Sequence, residues 1–120
     1  MAIIRNYTTV EQSRKLAKFL LIESADGWWT ALNWQETEYY IEVKQDGIDK
    51  PKKCVPCWSL SALLNLLPNC TDIVKEEADT ENEKYMCTVG VKDDIICTFG
   101  NNPVDACVAM IEKLHEFNLL

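Results

Sequence analysis

Cys54-Val55-Pro56-Cys57 is the sharpest chemical signal in the chain, because it stands just before a leucine-rich stretch with helical spacing. A Cys-x-x-Cys pair at a helix N-terminus has a lowered thiol pKa, since the helix dipole and the free N–H groups favour the thiolate. That chemistry is thiol–disulfide exchange. Metal binding is the second use of such a pair, but a structural zinc site takes four ligands, commonly as two close pairs. Only this one close pair exists; Cys70, Cys87, Cys97 and His115 are scattered. No metal and no cofactor is expected.

Other catalytic constellations are missing. With a single histidine, every Cys–His or Ser–His–Asp scheme must use His115, which falls late in an amphipathic helix beside Glu112 and Glu116. A histidine there reads as a helix-end cation. The acidic pairs Glu36/Glu38, Glu76/Glu77 and Asp93/Asp94 read as solvated turns. The four glycines, at 27, 47, 90 and 100, form no phosphate-binding pattern. No catalytic residue is assigned, and the chain is read as a non-enzyme.

The aromatic residues remain. Trp28, Trp29, Trp34, Tyr39 and Tyr40 fall within thirteen residues. On a strand, Trp28 and Trp29 point to opposite faces, so covering one face leaves one ring outside. Trp and Tyr bury much area at low entropy cost and are enriched at binding hot spots. Trp28, Trp29, Trp34 and Tyr40 are the candidate protein-binding residues, on a sheet face free of helices. The partner is another protein or a second copy of the chain. Cys54 and Cys57 carry the rival reading, thiol redox or metal binding.

Composition narrows the classes further. The chain has 120 residues, 26 % of them charged, and a formal net charge of −7. Duplex binders concentrate positive charge, and the only basic cluster is Lys50, Lys52 and Lys53, so nucleic acid is not expected as a partner. The acidic run from Glu76 to Glu83 reads as a solvated segment. No segment approaches the ~18–20 apolar residues that cross a bilayer, and Met1 to Asn6 lacks a signal-peptide pattern. A cytoplasmic chain with six free thiols is therefore expected.

One domain over residues 1–120 must position these groups. Thr8 with Glu11, and Thr9 with Gln12, are overlapping capping boxes ahead of a helix over about 9–22. Strands over roughly 28–34 and 38–44 follow, as a hairpin. Leu60, Leu63, Leu64 and Leu67 mark a second helix, opened by Pro56 or capped by Ser59 and closed by Pro68. Residues 69–82 read as loop. A second hairpin joins 84–91 to 95–99 through Lys92-Asp93-Asp94, with Cys87 and Cys97 both assigned to its apolar face. Asn102 caps a final helix with Pro103 at its first position and Asp105 in its first turn. The expected fold is α+β, an antiparallel sheet of about four strands with three helices mainly on one face.

Three stretches add a resemblance: Thr8-Thr9-Val10-Glu11-Gln12-Ser13, Pro56-Cys57-Trp58-Ser59-Leu60 leading into Ala62-Leu63-Leu64, and Asn102-Pro103-Val104-Asp105-Ala106-Cys107 through Lys113-Leu114-His115-Glu116. They resemble a family of small bacterial and prophage-associated proteins with no assigned activity. The match covers about half the chain, in the helices. It implies a short stand-alone protein of prophage-associated origin and transfers no site residue. Cys54-Val55-Pro56-Cys57 also resembles the thioredoxin-like motif in having Pro before the second cysteine. It departs from it in the preceding Lys-Pro-Lys-Lys, in Trp58 lying after the pair, and in lacking a partner cis-Pro strand.

Overall fold

In a computed structural model, which describes residues 6–44, 54–76 and 84–120, the Thr9–Gln12 capping box forms. The Thr9 hydroxyl accepts the Gln12 N–H, and the Gln12 side chain accepts the Thr9 N–H, both at 3.0 Å. Helix α1 runs Val10–Leu16, shorter than its periodicity predicts. Its end tightens into i→i−3 bonds from Lys18 to Lys15 and from Phe19 to Leu16, and such bonds close a helix. Thr8 caps nothing; its hydroxyl bonds Ser13 at 2.7 Å inside the molecule.

Strands β1 (Gly27–Ala31) and β2 (Tyr39–Val43) pair antiparallel with Trp29 opposite Ile41, as the expected hairpin. On the other side of β1 lies β3, Cys54–Cys57, pairing Gly27 with Cys57 and Thr30 with Cys54. The Cys-Val-Pro-Cys stretch is therefore a strand and not a helix start. Ser59, not Pro56, begins helix α2 (Leu60–Leu66), its hydroxyl accepting the Ala62 N–H at 3.2 Å.

Residues 71–76 are a strand where loop was expected. Strand β4 (Thr71–Glu76) pairs with β5 (Lys84–Val91), which pairs with β6 (Asp94–Gly100). As an edge strand β4 turns few apolar groups inward, with Ile73 half-buried and Val74 exposed, and so it escapes a search for alternation. The two-residue Lys92-Asp93 turn, with Lys92 at φ 53°, places Val91 opposite Asp94 and Cys87 opposite Thr98. A shift of one residue exchanges the faces of a strand. Ile96 and Thr98 thus face inward with Cys87, while Ile95, Cys97 and Phe99 face out. The assignment of Cys97 to the apolar inner face is corrected accordingly.

Among the described residues the fold is α+β, with three helices and two three-stranded antiparallel sheets rather than one sheet of about four strands. Helix α3 (Pro103–Glu116) begins as its sequence predicts, with the Asn102 side chain accepting the Asp105 N–H at 2.9 Å. It packs on β5 and β6, α2 packs against α3, and α1 lies on β3. One buried cluster joins Leu16, Trp58, Leu63, Cys87, Val89, Val104, Met110, Ile111 and Leu114.

Where β6 hands over to α3, Gly100 leaves no room for a side chain. A Cβ there would lie 2.4 Å from the Ala106 backbone nitrogen, whereas one at Gly90 meets nothing nearer than Cys70 Sγ at 4.0 Å. Gly100→Ala is expected to cost about 2 kcal/mol or more, in the range of overpacking, and Gly90→Ala under about 1 kcal/mol. Urea unfolding of both variants checks this; equal stabilities would contradict the packing of α3.

Candidate functional site

The aromatic hairpin is held by its own polar contacts. The Trp29 indole N–H donates to the Thr8 carbonyl at 2.7 Å. The Arg14 guanidinium donates to the Tyr39 hydroxyl at 2.7 Å and sits 5.8 Å from that ring's centroid. The first contact ties the approach to α1, and the second ties α1 itself, to the face of the sheet that carries Trp29, Tyr39 and Ile41. On the other face the Lys44 ammonium lies 4.5 Å from the centroid of the Trp28 indole and donates to the Ile22 carbonyl at 2.7 Å. Cation–π contact plus a fixed lysine holds that ring in place.

Exposure separates the three tryptophans of the hairpin. Trp28 is only 9 % exposed and Trp29 is half-buried. Trp28 is thus taken up by packing, while Trp29 keeps part of its surface outside. Trp34 is different, at 78 % exposure, and Leu32 stands 62 % exposed on the same connection. Tyr40 is exposed as well and donates its hydroxyl to Glu42, a bond that holds the phenol protonated above its ordinary range.

The turn carrying Trp34 is ordered. Asn33 Oδ1 accepts the Thr37 N–H at 3.0 Å, Asn33 Nδ2 donates to the Thr37 hydroxyl at 2.7 Å, and the Leu32 N–H donates to the Glu38 carbonyl at 2.8 Å. Glu36 takes a left-handed φ of 57°. A large ring on a fixed turn loses little entropy when it is covered. Leu32 was missed by sequence reasoning because a lone leucine beside an Asn carries no periodic signal.

The outer face of the β4–β5–β6 sheet was also missed. Ile95 at 73 %, Phe99 at 54 % and Val74 at 47 % are exposed on it. Only the register across the Lys92-Asp93 turn reveals that face.

The Cys54/Cys57 pair does not assemble into a site. Three residues apart on a strand, the two side chains leave opposite faces of the sheet. Cys57 is fully buried, and its thiol is pushed up to about 12 by burial, with Asp26 adding to the rise and Lys44 opposing it. A shared face and a lowered thiol are what exchange by such a pair needs; the two side chains share no face, and the Cys57 thiol is raised. Among the described residues no group of three or more His, Cys, Asp or Glu is placed to hold a metal ion, and no helix is long and apolar enough to cross a membrane.

A polar groove of about 420 Å³ lies between α1 and α3, lined by Lys15, Glu11, Asp105 and Glu112 among others. Asp105 is already engaged there: Oδ1 accepts from Gln12 at 2.8 Å and Oδ2 from Asn102 at 3.0 Å. The groove is thus the junction where the two helix N-termini are laced together.

No protein-family model, curated protein or solved structure matches the chain.

The thiols make a direct check. At pH 8 a thiol-specific reagent is expected to modify the exposed Cys70 and Cys97 rapidly, and the buried Cys57 only after denaturant is added. The folded chain holds the Cys57 proton more tightly than the unfolded chain, whose ordinary value is 9.0. This contribution to stability is complete below about pH 9 and is lost as pH rises toward 12. Early labelling of Cys57, identified by peptide mass mapping, would contradict the burial.

Proposed function

We propose that the chain is a small non-enzymatic interaction protein that associates with a protein partner through its β1–β2 hairpin. Trp34 is the anchor, with Leu32 and Tyr40 as the other exposed groups of the same hairpin. A prophage-associated origin, implied by the resemblance of the helical motifs, belongs to the same reading. The observation that carries it is the exposure of Trp34 on a turn fixed by Asn33 and Thr37. A buried tryptophan is explained by packing; an ordered, exposed one costs solvation without stabilising the fold, and such residues dominate binding hot spots.

The surround is acidic, with Glu36 and Glu38 exposed on the same connection and a net charge of −7. Complementary charge steers association and sets salt dependence. A partner with a basic rim around an apolar pocket fits best.

Affinity capture with the immobilised full chain tests this, comparing wild type with Trp34→Ala. The variant is expected to lose captured protein by about 30-fold in affinity, the ~2 kcal/mol of a hot-spot residue. Its unfolding free energy should stay within about 0.5 kcal/mol of wild type. Capture that is indifferent to the substitution would overturn the reading. So would an absence of any captured protein together with a monomer in light scattering.

A further inference from the structure

Three side chains that neither the fold's polar contacts with solvent nor the hairpin uses converge inside the molecule: Cys87 on β5, Thr98 on β6 and Cys107 on α3. Cys87 and Thr98 are cross-strand partners on the inward face of the sheet, where paired Cβ atoms lie ~4.5–5.5 Å apart. The Thr98 hydroxyl donates to the carbonyl of Ala106 at 2.9 Å, which pins the residue just before Cys107 over that pair. Both cysteines are fully buried in the same core cluster, and both are free thiols. The neighbouring Cys87 thiol, together with burial, holds the Cys107 thiol protonated well above its ordinary range.

We propose that Cys87 and Cys107 form a reversible disulfide that staples α3 to the β4–β5–β6 sheet when the protein meets a low-molecular-weight disulfide. The oxidant is of the oxidised-glutathione class. One cysteine, as its thiolate, attacks a glutathione sulfur, forming a mixed disulfide and releasing one glutathione thiol. The second cysteine, losing its proton, then attacks the protein sulfur of the mixed disulfide. The internal S–S bond forms, and the second glutathione leaves as a thiol. Two protein thiols are oxidised, one glutathione disulfide is reduced, and the two protons end on the two released thiols.

Because both sulfurs are buried, the first attack waits on a local opening of α3 from the sheet, and oxidation is slow in the folded chain. Its product closes a loop holding β6 and the start of α3, which restrains the unfolded chain and raises stability. The device is separate from the hairpin that carries Trp34.

The test incubates the full chain with oxidised glutathione, then blocks remaining thiols by alkylation in denaturant and maps the peptides by mass. The expected result is a Cys87–Cys107 cross-linked peptide, a Tm higher by roughly 10 °C, and reversal of both by dithiothreitol. Cys107→Ala should abolish the cross-link and the shift; the wild-type peptide map decides the matter even if that variant folds poorly. Alkylated Cys87 and Cys107 after prolonged oxidation would overturn the proposal. A stable mixed disulfide, or Cys87 linked to another cysteine, would do the same. A correct cross-link that lowers Tm would overturn the stapling.

Discussion

A tryptophan at the centre of the molecule sets the constraint on which the other elements depend. Trp58 is fully buried, and every polar group it brings inside must find a partner. Its backbone N–H donates to the Thr8 hydroxyl at 3.2 Å, its carbonyl accepts the Thr8 N–H at 2.9 Å, and its indole N–H donates to Ser24 Oγ at 2.9 Å. The next residue extends the knot. The Ser59 N–H donates to Asp26 Oδ1 at 2.8 Å, the Ser59 hydroxyl donates to Asp26 Oδ2, and the same hydroxyl oxygen caps α2. Five points of the chain are thereby fixed to one another: the approach to α1, the turn after it, the entry to β1, the end of β3 and the start of α2. Charge-assisted bonds of the Asp26 type are roughly twice as strong as neutral ones, so this knot ties these segments firmly together.

The hairpin inherits its position from that joint. Asp26 immediately precedes β1, and its carbonyl accepts the Lys44 N–H at 3.1 Å just beyond β2, so the knot clamps both legs of the hairpin at one end. Gly27 fits there because a side chain would meet Cys57 Sγ at 3.0 Å and Tyr7 at 3.2 Å. With the base clamped, and with Arg14 and Lys44 holding Tyr39 and Trp28 on opposite faces, the distal turn is the part that projects. The exposure of Trp34 thus falls on a turn whose base is held by contacts elsewhere in the fold.

The helices were legible because their signals are local. Thr9 and Gln12, Ser59, and Asn102 with Pro103 and Asp105 each act within one turn of chain. Both hairpins were legible from alternation and turn residues. What escaped was long-range. Cys54 to Cys57 reads as a helix start from its proline and its thiols, and only pairing with Gly27 to Thr30 makes it a strand. The inner and outer faces of β6 hang on whether the turn before it holds two residues or three, and both Ile95 and Ile96 satisfy an apolar pattern. For the same reason the tryptophan doublet marks a strand of the hairpin without telling how far each ring is covered. Sequence places Trp28 and Trp29 on opposite faces, but the ammonium that covers Trp28 and the carbonyl that engages Trp29 come from Lys44 and Thr8, distant in the chain.

Hydroxyl-radical footprinting of the four tryptophans, read residue by residue by mass spectrometry, tests the division of labour most directly. Fast oxidation of Trp34, slow oxidation of Trp29, and protection of Trp28 and Trp58 until the chain unfolds are expected. Protection of Trp34 in the native protein, or oxidation of Trp58 as fast as that of Trp34, would contradict this division.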